Sequence, residues 1–429
     1  MKKSYNIAVI GLGQIGNYLL NELNNKKKDI LIKTGKKINI IAISAKNKNK
    51  KRKYRINKKI FYTNPLNIIK KKNIDILFEA IGSSDGISKK VVELALKNKV
   101  HVITPNKALI AKHGDYLSQL AEKNKVNLEF EAAVCGGIPI LRTIKEGLAT
   151  NKITKLYGIL NGTCNYILSE MEESKDIFAK VLNKAQKLGY AEPINPKLDL
   201  NGSDALSKVK ILSSLAFNNK ISNTNNLMEG IEDIENKDFE IVDQLNYRIK
   251  LLGITEIIEG KLFERVHPCL VKKNSYIGNV NGVMNAVILQ GKPVGESVLQ
   301  GEGAGPGPTS SALMSDLLSI LRGNIKYPFG ISHSKRKKIM IYDVNKYSNS
   351  LYLRLEVKDK PGVLSIITKQ LAKFNISVQR LIQIPDHKKK TASIVIITHE
   401  ASELNSKKCL KSFRANRNIL KPPILIRLF

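Results

Sequence analysis

The sequence predicts an α/β protein in three parts: a doubly wound parallel sheet, a middle region of longer helices with antiparallel strands, and a small β–α module after it. Three observations predict it. Short apolar runs alternate with helical patterns up to Ala133, the rhythm changes beyond Gly136-Gly137, and a polar, basic stretch at Ser332–Asn349 sets off the last segment. Alternation of this kind builds parallel sheets covered by helices on both faces. A length of 429 residues agrees with about three domains.

The elements follow in order. Asn6–Gly11 is a short apolar run ending in glycine, which suits a buried strand, and Asn17–Leu23 carries a helical pattern. Ile38–Ser44 is the second strand. Ile74–Ala80 is a strand closed by Gly82, with a helix over Ser88–Asn98. Val100–Thr104, a helix over Asn106–Lys123, and a strand over Val126–Ala133 complete the first part. Beyond it come a strand at Ile153–Leu160 and helices at Asn165–Ser174, Asp176–Leu188 and Asp204–Phe217. The glycine-rich Gly301–Gly307 precedes a helix at Ser310–Leu321. Ser332–Asn349 reads as a linker. The last part has a strand at Leu351–Val357, a turn at Asp359-Lys360-Pro361-Gly362, a helix, and strands near Ile376–Ile384 and Ala392–Thr398.

Composition excludes several classes. A hydrophobic share of 42% is that of a globular chain, and no apolar run approaches the ~18 residues of a membrane helix. The N-terminal sixteen residues lack the apolar core and cleavage site of a signal peptide. Four cysteines, Cys135, Cys164, Cys269 and Cys409, are far apart and read as free thiols of a reducing cytoplasm. The 71 Lys+Arg against 37 Asp+Glu leave a net charge of +34. That charge admits nucleic acid or an anionic membrane as partner. It admits equally a compositional origin, because Lys, Asn and Ile are abundant throughout and share AT-rich codons. Aromatics are only 6%, Trp is absent, and no helix-turn-helix, zinc or RNA-binding signature is present, so nucleic acid is the weaker reading.

Gly11-Leu12-Gly13-Gln14-Ile15-Gly16 is a full G-x-G-x-x-G between a strand and a helix. The first glycine permits the tight turn, the second lets backbone approach a pyrophosphate, and the third allows close helix–strand packing. The anion then rests on unpaired N–H groups at the helix start. In NAD binders the second strand ends in an acid that holds the ribose hydroxyls. Here Ile38–Ser44 ends without one and is followed by Lys46, Lys48, Lys50, Lys51 and Arg52, which favours the 2′-phosphate of NADP(H), with NAD(H) as the alternative.

The chemistry concentrates in Gly189–Asp204, which runs into a helix carrying Lys208. Asp204 and Lys208 are four apart and share a helix face. Glu192 and Asp199 precede them, on either side of Pro193 and Pro196. Carboxylates here would hold an ammonium group, and a lysine would exchange a proton with an oxygen. Lys107, in Thr104-Pro105-Asn106-Lys107, closes a strand at its carboxyl end, where doubly wound sheets bind ligands.

These stretches resemble homoserine dehydrogenases. The matching segments are Gly11–Gly16, Phe78–Gly82, Thr104–Lys107, Glu131–Pro139 (EAAVCGGIP), Gly158–Met171 (GILNGTCNYILSEM), Gly189–Lys208 and Gly301–Thr309 (GEGAGPGPT), in the family's order. DKPGVLS at Asp359–Ser365 looks like an ACT domain, the amino-acid-sensing unit of the family's long form.

The resemblance implies a Rossmann-type NAD(P)-binding domain at 1–135, completed by about 300–325, and an α+β catalytic and dimerisation domain with a mixed sheet at 136–325. A linker at 326–350 and a ferredoxin-like ACT domain at 351–429 follow. It implies reversible reduction of L-aspartate 4-semialdehyde to L-homoserine, in threonine and methionine biosynthesis. Another small amino-acid aldehyde or alcohol is the chemical alternative. Lys208 matches the acid/base, Lys107 a lysine between cofactor and substrate, and Glu192, Asp199 and Asp204 the substrate acids. Gly162 and Thr163 would line the amino-acid end. Gly11 to Gly16, Lys46, Arg52, Gly82, Thr104, Lys107 and Gly303 would meet the cofactor. Backbone carbonyls of Glu131, Val134, Gly136 and Ile138 match a site for a monovalent cation, usually Na+. The family pattern has one residue fewer between Glu192 and Asp199, and an Asp where Ile194–Asn195 stand. A homodimer or homotetramer, and threonine as effector at the ACT-like module, complete what the resemblance implies.

Overall fold

A computed structural model describes residues 2–193, 196–224, 227–386 and 388–429. Its first sheet is wholly parallel. The elements run β1 (Ser4–Ile10), α1 (Gln14–Asn25), α2 (Lys27–Thr34), β2 (Lys37–Ser44), β3 (Phe61–Tyr62), α3 (Pro65–Lys71), β4 (Ile76–Glu79), α4 (Ile87–Lys97), β5 (His101–Ile103), α5 (Lys107–Asn124) and β6 (Leu128–Glu129). The strand order β3-β2-β1-β4-β5-β6 is that of a Rossmann fold, with the direction of winding reversing between β1 and β4. Alternation along β1 decides its two faces. Ile7 and Val9 pack with Leu19, Leu20 and Ile30, whereas Ala8 and Ile10 pack with Ile68, Val91 and Leu109.

The strand expected at Val126–Ala133 stops at Glu129. Beyond it the Glu131 side chain accepts from Leu141 N (2.9 Å) and Arg142 N (2.8 Å). These contacts cap the short α6 (Ile140–Arg142) and pull the chain out of the sheet. The basic run after α1, to which no element was assigned, forms α2.

The middle region continues with β7 (Lys152–Ile159), α7 (Gly162–Ser174), α8 (Phe178–Leu188), α9 (Lys197–Leu200), α10 (Ser203–Ala216), β8 (Leu227–Met228), α11 (Asn236–Gln244), β9 (Tyr247–Ile258), β10 (Lys261–Lys272), β11 (Met284–Lys292) and β12 (Gly295–Glu302). Then α12 (Pro306–Leu321) returns to the first sheet, burying Leu313, Leu317 and Ile320 with β1 and α1. The last part holds β13 (Ser348–Asn349), β14 (Leu351–Lys358), α13 (Val363–Lys373), β15 (Val378–Asp386), β16 (Thr391–Thr398), β17 (Ala401–Ser402), α14 (Glu403–Arg414) and β18 (Ile424–Leu428). Four strands in the order β18-β14-β16-β15, with α13 and α14 between them in sequence, form a ferredoxin-like unit.

That unit does not stand apart. β18 pairs antiparallel with β14 and parallel with β10, so one mixed sheet runs β12-β11-β7-β9-β10-β18-β14-β16-β15. One face is shared by Val209, Phe239, Leu270, Tyr352 and Ile426 in a single cluster. The stretch expected to be a linker is packed as well. Arg336 is buried, donates to Asn219 O (2.9 Å) and stacks 3.9 Å over Phe329, and Ile341 bridges Leu262.

Candidate functional site

The glycine loop sits at the reversal point between β1 and β4. Gly11 has φ +93°, and a Cβ there would lie 2.3 Å from Ala80 O. A Cβ on Gly16 would lie 1.9 Å from Gly11 O, so the first and third glycines are fixed by packing. Gly13 meets nothing within 4 Å and presents bare backbone at the start of α1. The first turn of α1 holds no acid and no side-chain cap, leaving its N–H groups available to an anion. The loop lines a cleft of about 680 Å³ with Leu12, Gln14, Lys50, Lys51, Arg52, Lys53, Pro306 and Gly307. Ile15 faces the core beneath.

Arg52 reaches this cleft but is tied down: its guanidinium donates to Leu12 O (3.3 Å), Lys50 O (3.0 Å) and Asn47 O (2.8 Å). Asn17 holds the same loop through a reciprocal pair of bonds with the Tyr54 backbone, at 3.0 and 2.9 Å. Lys46 stands exposed just past β2, before the loop turns to the cleft. Among the described residues the lysines on the lining are Lys50, Lys51 and Lys53, the last 5.6 Å over the Tyr54 ring, and Lys46 is not one of them.

At the ends of β4 and β5, buried Glu79 organises the neighbouring strand ends. It accepts from Ile81 N (2.8 Å), Ser88 Oγ (2.7 Å) and Thr104 Oγ1 (2.7 Å). Asn106 donates to Ser83 O (2.8 Å) and caps α5 through Leu109 N (3.0 Å). Lys107 begins α5 and leans toward the middle region. Gly82, exposed with φ +98°, turns the chain after β4.

Lys107, Asp204 and Lys208 meet. Lys107 Nζ lies 2.8 Å from Asp204 Oδ1, and Lys208 Nζ lies 2.8 Å from Asp204 Oδ2. Lys208 also donates to Leu160 O at 2.6 Å. Asn161 Nδ2 bridges Asp199 Oδ1 (2.8 Å) and Asp204 Oδ2 (3.0 Å), while Asn161 Oδ1 caps α7 at Cys164 N (2.8 Å). Burial alone would raise the Asp204 carboxyl, but the Lys208 and Lys107 ammoniums outweigh it and hold it well below the ordinary carboxylate range. Burial likewise pulls the Lys208 ammonium down, and Asp204 more than reverses this, so its pKa is raised. Asp199 is raised, first by burial and then by Asp204.

Thr163 donates from Oγ1 to Tyr190 O (2.6 Å), closing the first turn of α7 onto the loop after α8. Gly162 lies so close to β11 that a Cβ would be 2.7 Å from Val283 O. Glu192 is exposed, with its carbonyl accepting from Gln186 Nε2 (3.0 Å). Ile194 and Asn195, where the sequence departs from the family pattern, lie outside the described residues.

The turn from Val134 to Ile138 is buried except for Gly137. Among the described residues no donor reaches the carbonyls of Val134 and Gly136. Those of Glu131 and Ile138 each accept one bond, from Val134 N (3.4 Å) and Ile140 N (2.8 Å). An all-carbonyl set of this kind suits a hard, singly charged cation. Gly303 packs against the turn: Gly137 N donates to Glu302 O (2.9 Å), and a Cβ on Gly136 would meet Gly303 O at 2.9 Å.

Sequence reasoning passed over Asn161, Glu79 and Asn17. For Asn161 a signal existed: Asn immediately before Gly162-Thr163 and an apolar helix is a capping pattern. Asn17, and Glu79 through Thr104, act on partners distant in sequence, which no local pattern records.

Three family models match the chain: homoserine dehydrogenase over residues 139–318, the homoserine dehydrogenase NAD binding domain over 11–131, and the ACT domain over 351–417. A homoserine dehydrogenase of Neisseria gonorrhoeae is 37% identical over 432 residues, 99% of each chain. The crystal structure of a homoserine dehydrogenase from Thiobacillus denitrificans superposes with a TM-score of 0.90 at 34% identity, covering 100% of this chain and 99% of that one. A hyperthermophilic archaeal homoserine dehydrogenase mutant in complex with NADPH shares the fold at a TM-score of 0.61 and 23% identity, covering 74% of this chain and 97% of that one.

Proposed function

The chain belongs to the homoserine dehydrogenase family, and from that premise we propose how its residues perform the reaction. The activity is that of homoserine dehydrogenase, an NAD(P)-dependent oxidoreductase acting on a CH–OH carbon. The observation that carries the reading is the Lys107–Asp204–Lys208 array beside the ends of the parallel strands.

Gly11 to Gly16 would hold the dinucleotide, whose nicotinamide would supply the hydride that reduces the aldehyde carbon of L-aspartate 4-semialdehyde. Lys208 Nζ gives its proton to the carbonyl oxygen as negative charge develops there. Its raised pKa keeps it protonated at neutral pH, the form that reduction requires. Asp204 keeps the ammonium in place and shares it with Lys107, which faces the cofactor side. Asp199, with Glu192 from the preceding loop, receives the substrate ammonium. Gly162 and Thr163 at the start of α7 receive its carboxylate.

The cofactor is NADP(H) in preference to NAD(H). β2 ends at Ser44 without an acid, and Lys50, Lys51 and Lys53 line the cleft, while Arg52 shapes the loop that carries them. Gly82 and Thr104 would border the nicotinamide end, and Gly303 would meet the cofactor from the returning segment, whose Pro306 and Gly307 line the cleft. The carbonyls of Glu131, Val134, Gly136 and Ile138 would hold Na+, steadying the turn between the two regions. At the C-terminal unit, Gly362 (φ +86°) opens α13 without a side-chain cap, a place for the carboxylate of a threonine effector. The enzyme works as a homodimer or homotetramer in the cytoplasm, within threonine and methionine biosynthesis. Its four cysteines are free and buried, and among the described residues no helix is long and apolar enough to cross a membrane.

The test is a substrate screen with both cofactors. NADPH consumption with L-aspartate 4-semialdehyde, and a lower KM for NADPH than for NADH, are expected. Turnover confined to other amino-acid aldehydes would overturn the substrate assignment, and a lower KM for NADH the cofactor preference.

A further inference from the structure

The array around Asp204 rests on a second layer whose far end lies in the C-terminal unit. Arg427, on β18, is 2% exposed. It bonds Glu403 at the start of α14 through Nε and, at 3.1 Å, through its second terminal nitrogen. The same guanidinium forks onto Glu229 at 2.7 and 2.9 Å. Arg427 thus joins a carboxylate of the C-terminal unit to one of the middle region, in the paired geometry that fixes direction as well as distance.

Glu229 belongs to a segment pressed against the substrate loop. Its N–H donates to Val266 O (2.8 Å), extending β8 along β10. Next to it, Gly230 lies so close to the end of α9 that a Cβ would be 2.3 Å from Leu200 O and 2.8 Å from Asn201 Cα. Ile231 N donates to Leu200 O at 3.1 Å. Leu200 follows Asp199. Gly202, which opens α10 two residues before Asp204, packs on the same segment less tightly: a Cβ there would lie 3.1 Å from Val266 Cγ1 and 3.3 Å from Glu229 O. From Arg427 to the Asp199–Asp204 loop there are two contacts, the paired bonds to Glu229 and the backbone approach of Gly230 to Leu200 and Asn201, the second too tight to shift without moving its neighbour.

We infer that Arg427 and Glu229 are positioning residues: together they set the Asp199–Asp204 loop from the C-terminal unit, and so tune binding of the amino-acid substrate. The inference rests on the reading that this loop holds the substrate. It also gives the C-terminal unit a mechanical route to the site, because a shift of α14 or β18 would be felt at Glu229.

The test uses the full-length enzyme. Glu229 is 40% exposed on its side chain, so Glu229→Gln should fold, with Glu229→Asp as the conservative partner. Glu229→Gln is expected to raise the KM for L-aspartate 4-semialdehyde about fivefold, with the KM for NADPH unchanged; about 1 kcal/mol of alignment corresponds to that ratio. Glu229→Asp should restore part of it. Arg427→Gln combined with Glu229→Gln should raise KM no further than the larger single effect. Unchanged semialdehyde KM in Glu229→Gln, or equal changes in both KM values, would overturn the inference. Asp204→Asn separates the two ideas: if it too leaves the semialdehyde KM and turnover intact, the reading of the loop itself fails; if it alone impairs them, only the positioning role falls.

Discussion

In the first sheet β1 pairs with β2 and β4, and successive strands are joined by helices packed on its faces, apart from β2 and β3, which a loop without an α-helix connects. In the second sheet β10 pairs with β9, its hairpin neighbour, and with β18, which comes from the other end of the C-terminal unit. The faces of the first sheet are sealed by apolar side chains and close glycines, with buried Glu79 holding only its strand ends. The second is crossed by buried ions: Arg354 and Asp238 at 2.6 Å, Tyr352 on the same carboxylate at 2.8 Å, and Arg427 between Glu229 and Glu403. Local pairing needs only pattern to specify it. A seam between distant segments needs partners that recognise each other, and charge-assisted bonds do this at the expense of desolvation.

The largest effect should come from the seam. Arg354→Ala leaves Asp238 buried without its counter-ion and should lower unfolding free energy by about 3–5 kcal/mol in a urea melt. A loss below ~1 kcal/mol would mean that apolar packing holds the seam, as it does the first sheet. In the site between the sheets, Lys208→Ala should reduce turnover on the order of 10²-fold, read by steady-state kinetics at saturating substrates; near-wild-type turnover would remove it as the acid. On the first sheet, replacing Lys50, Lys51 and Lys53 together by Ala should raise the KM for NADPH about tenfold and leave NADH unaffected. Equal changes for both cofactors would show that the lysines shape the loop instead.

The pH dependence follows from the raised pKa of Lys208. The charged form is favoured in the fold, so the amine stays protonated until pH passes above its ordinary range. Reduction of the semialdehyde should therefore be insensitive to this group across neutral pH. Oxidation of homoserine needs the neutral amine and should rise about tenfold per pH unit into the alkaline range. A plateau in the oxidative direction already at neutral pH would mean that substrate binding breaks the Asp204–Lys208 pair. The smallest effect belongs to Lys46→Ala, which should leave both KM values as they were.

The same contrast decides what could be read from the chain. The first sheet was legible in five of its six strands, because those βα units carry their own apolar runs and turn residues, whereas the two-residue β3 and the helix α3 after it were not read. Its glycine loop was legible for the same reason. β9 and β10 were missed: their residues are buried on both faces from Ile249 to Leu252 and from Leu262 to Val271, so the alternation that marks a strand is absent. β18 and the packing of 332–349 were missed because their partners, β10 and Leu262, lie far away in sequence. In the site, Asp204 and Lys208 share one helix and could be paired by spacing alone. Lys107 joins them from another region, and its contact was reached through strand-end position and resemblance.

The parallel pairing of Cys269 with Arg427 has a consequence for how the chain is made. A ribosome releases β10 long before β18, and until residues 424–428 emerge the Cys269–Leu270 end of the β10 edge opposite β9 has no strand to pair with, β8 covering only Arg265 and Val266. Exposed edges recruit other strands, including those of neighbouring nascent chains. The Rossmann part can be finished apart from α12 while translation continues, but the catalytic sheet waits for β18, which emerges only after α13 and α14. A stalled or prematurely terminated product would thus carry a nearly complete cofactor domain joined to a sheet with an open, association-prone edge.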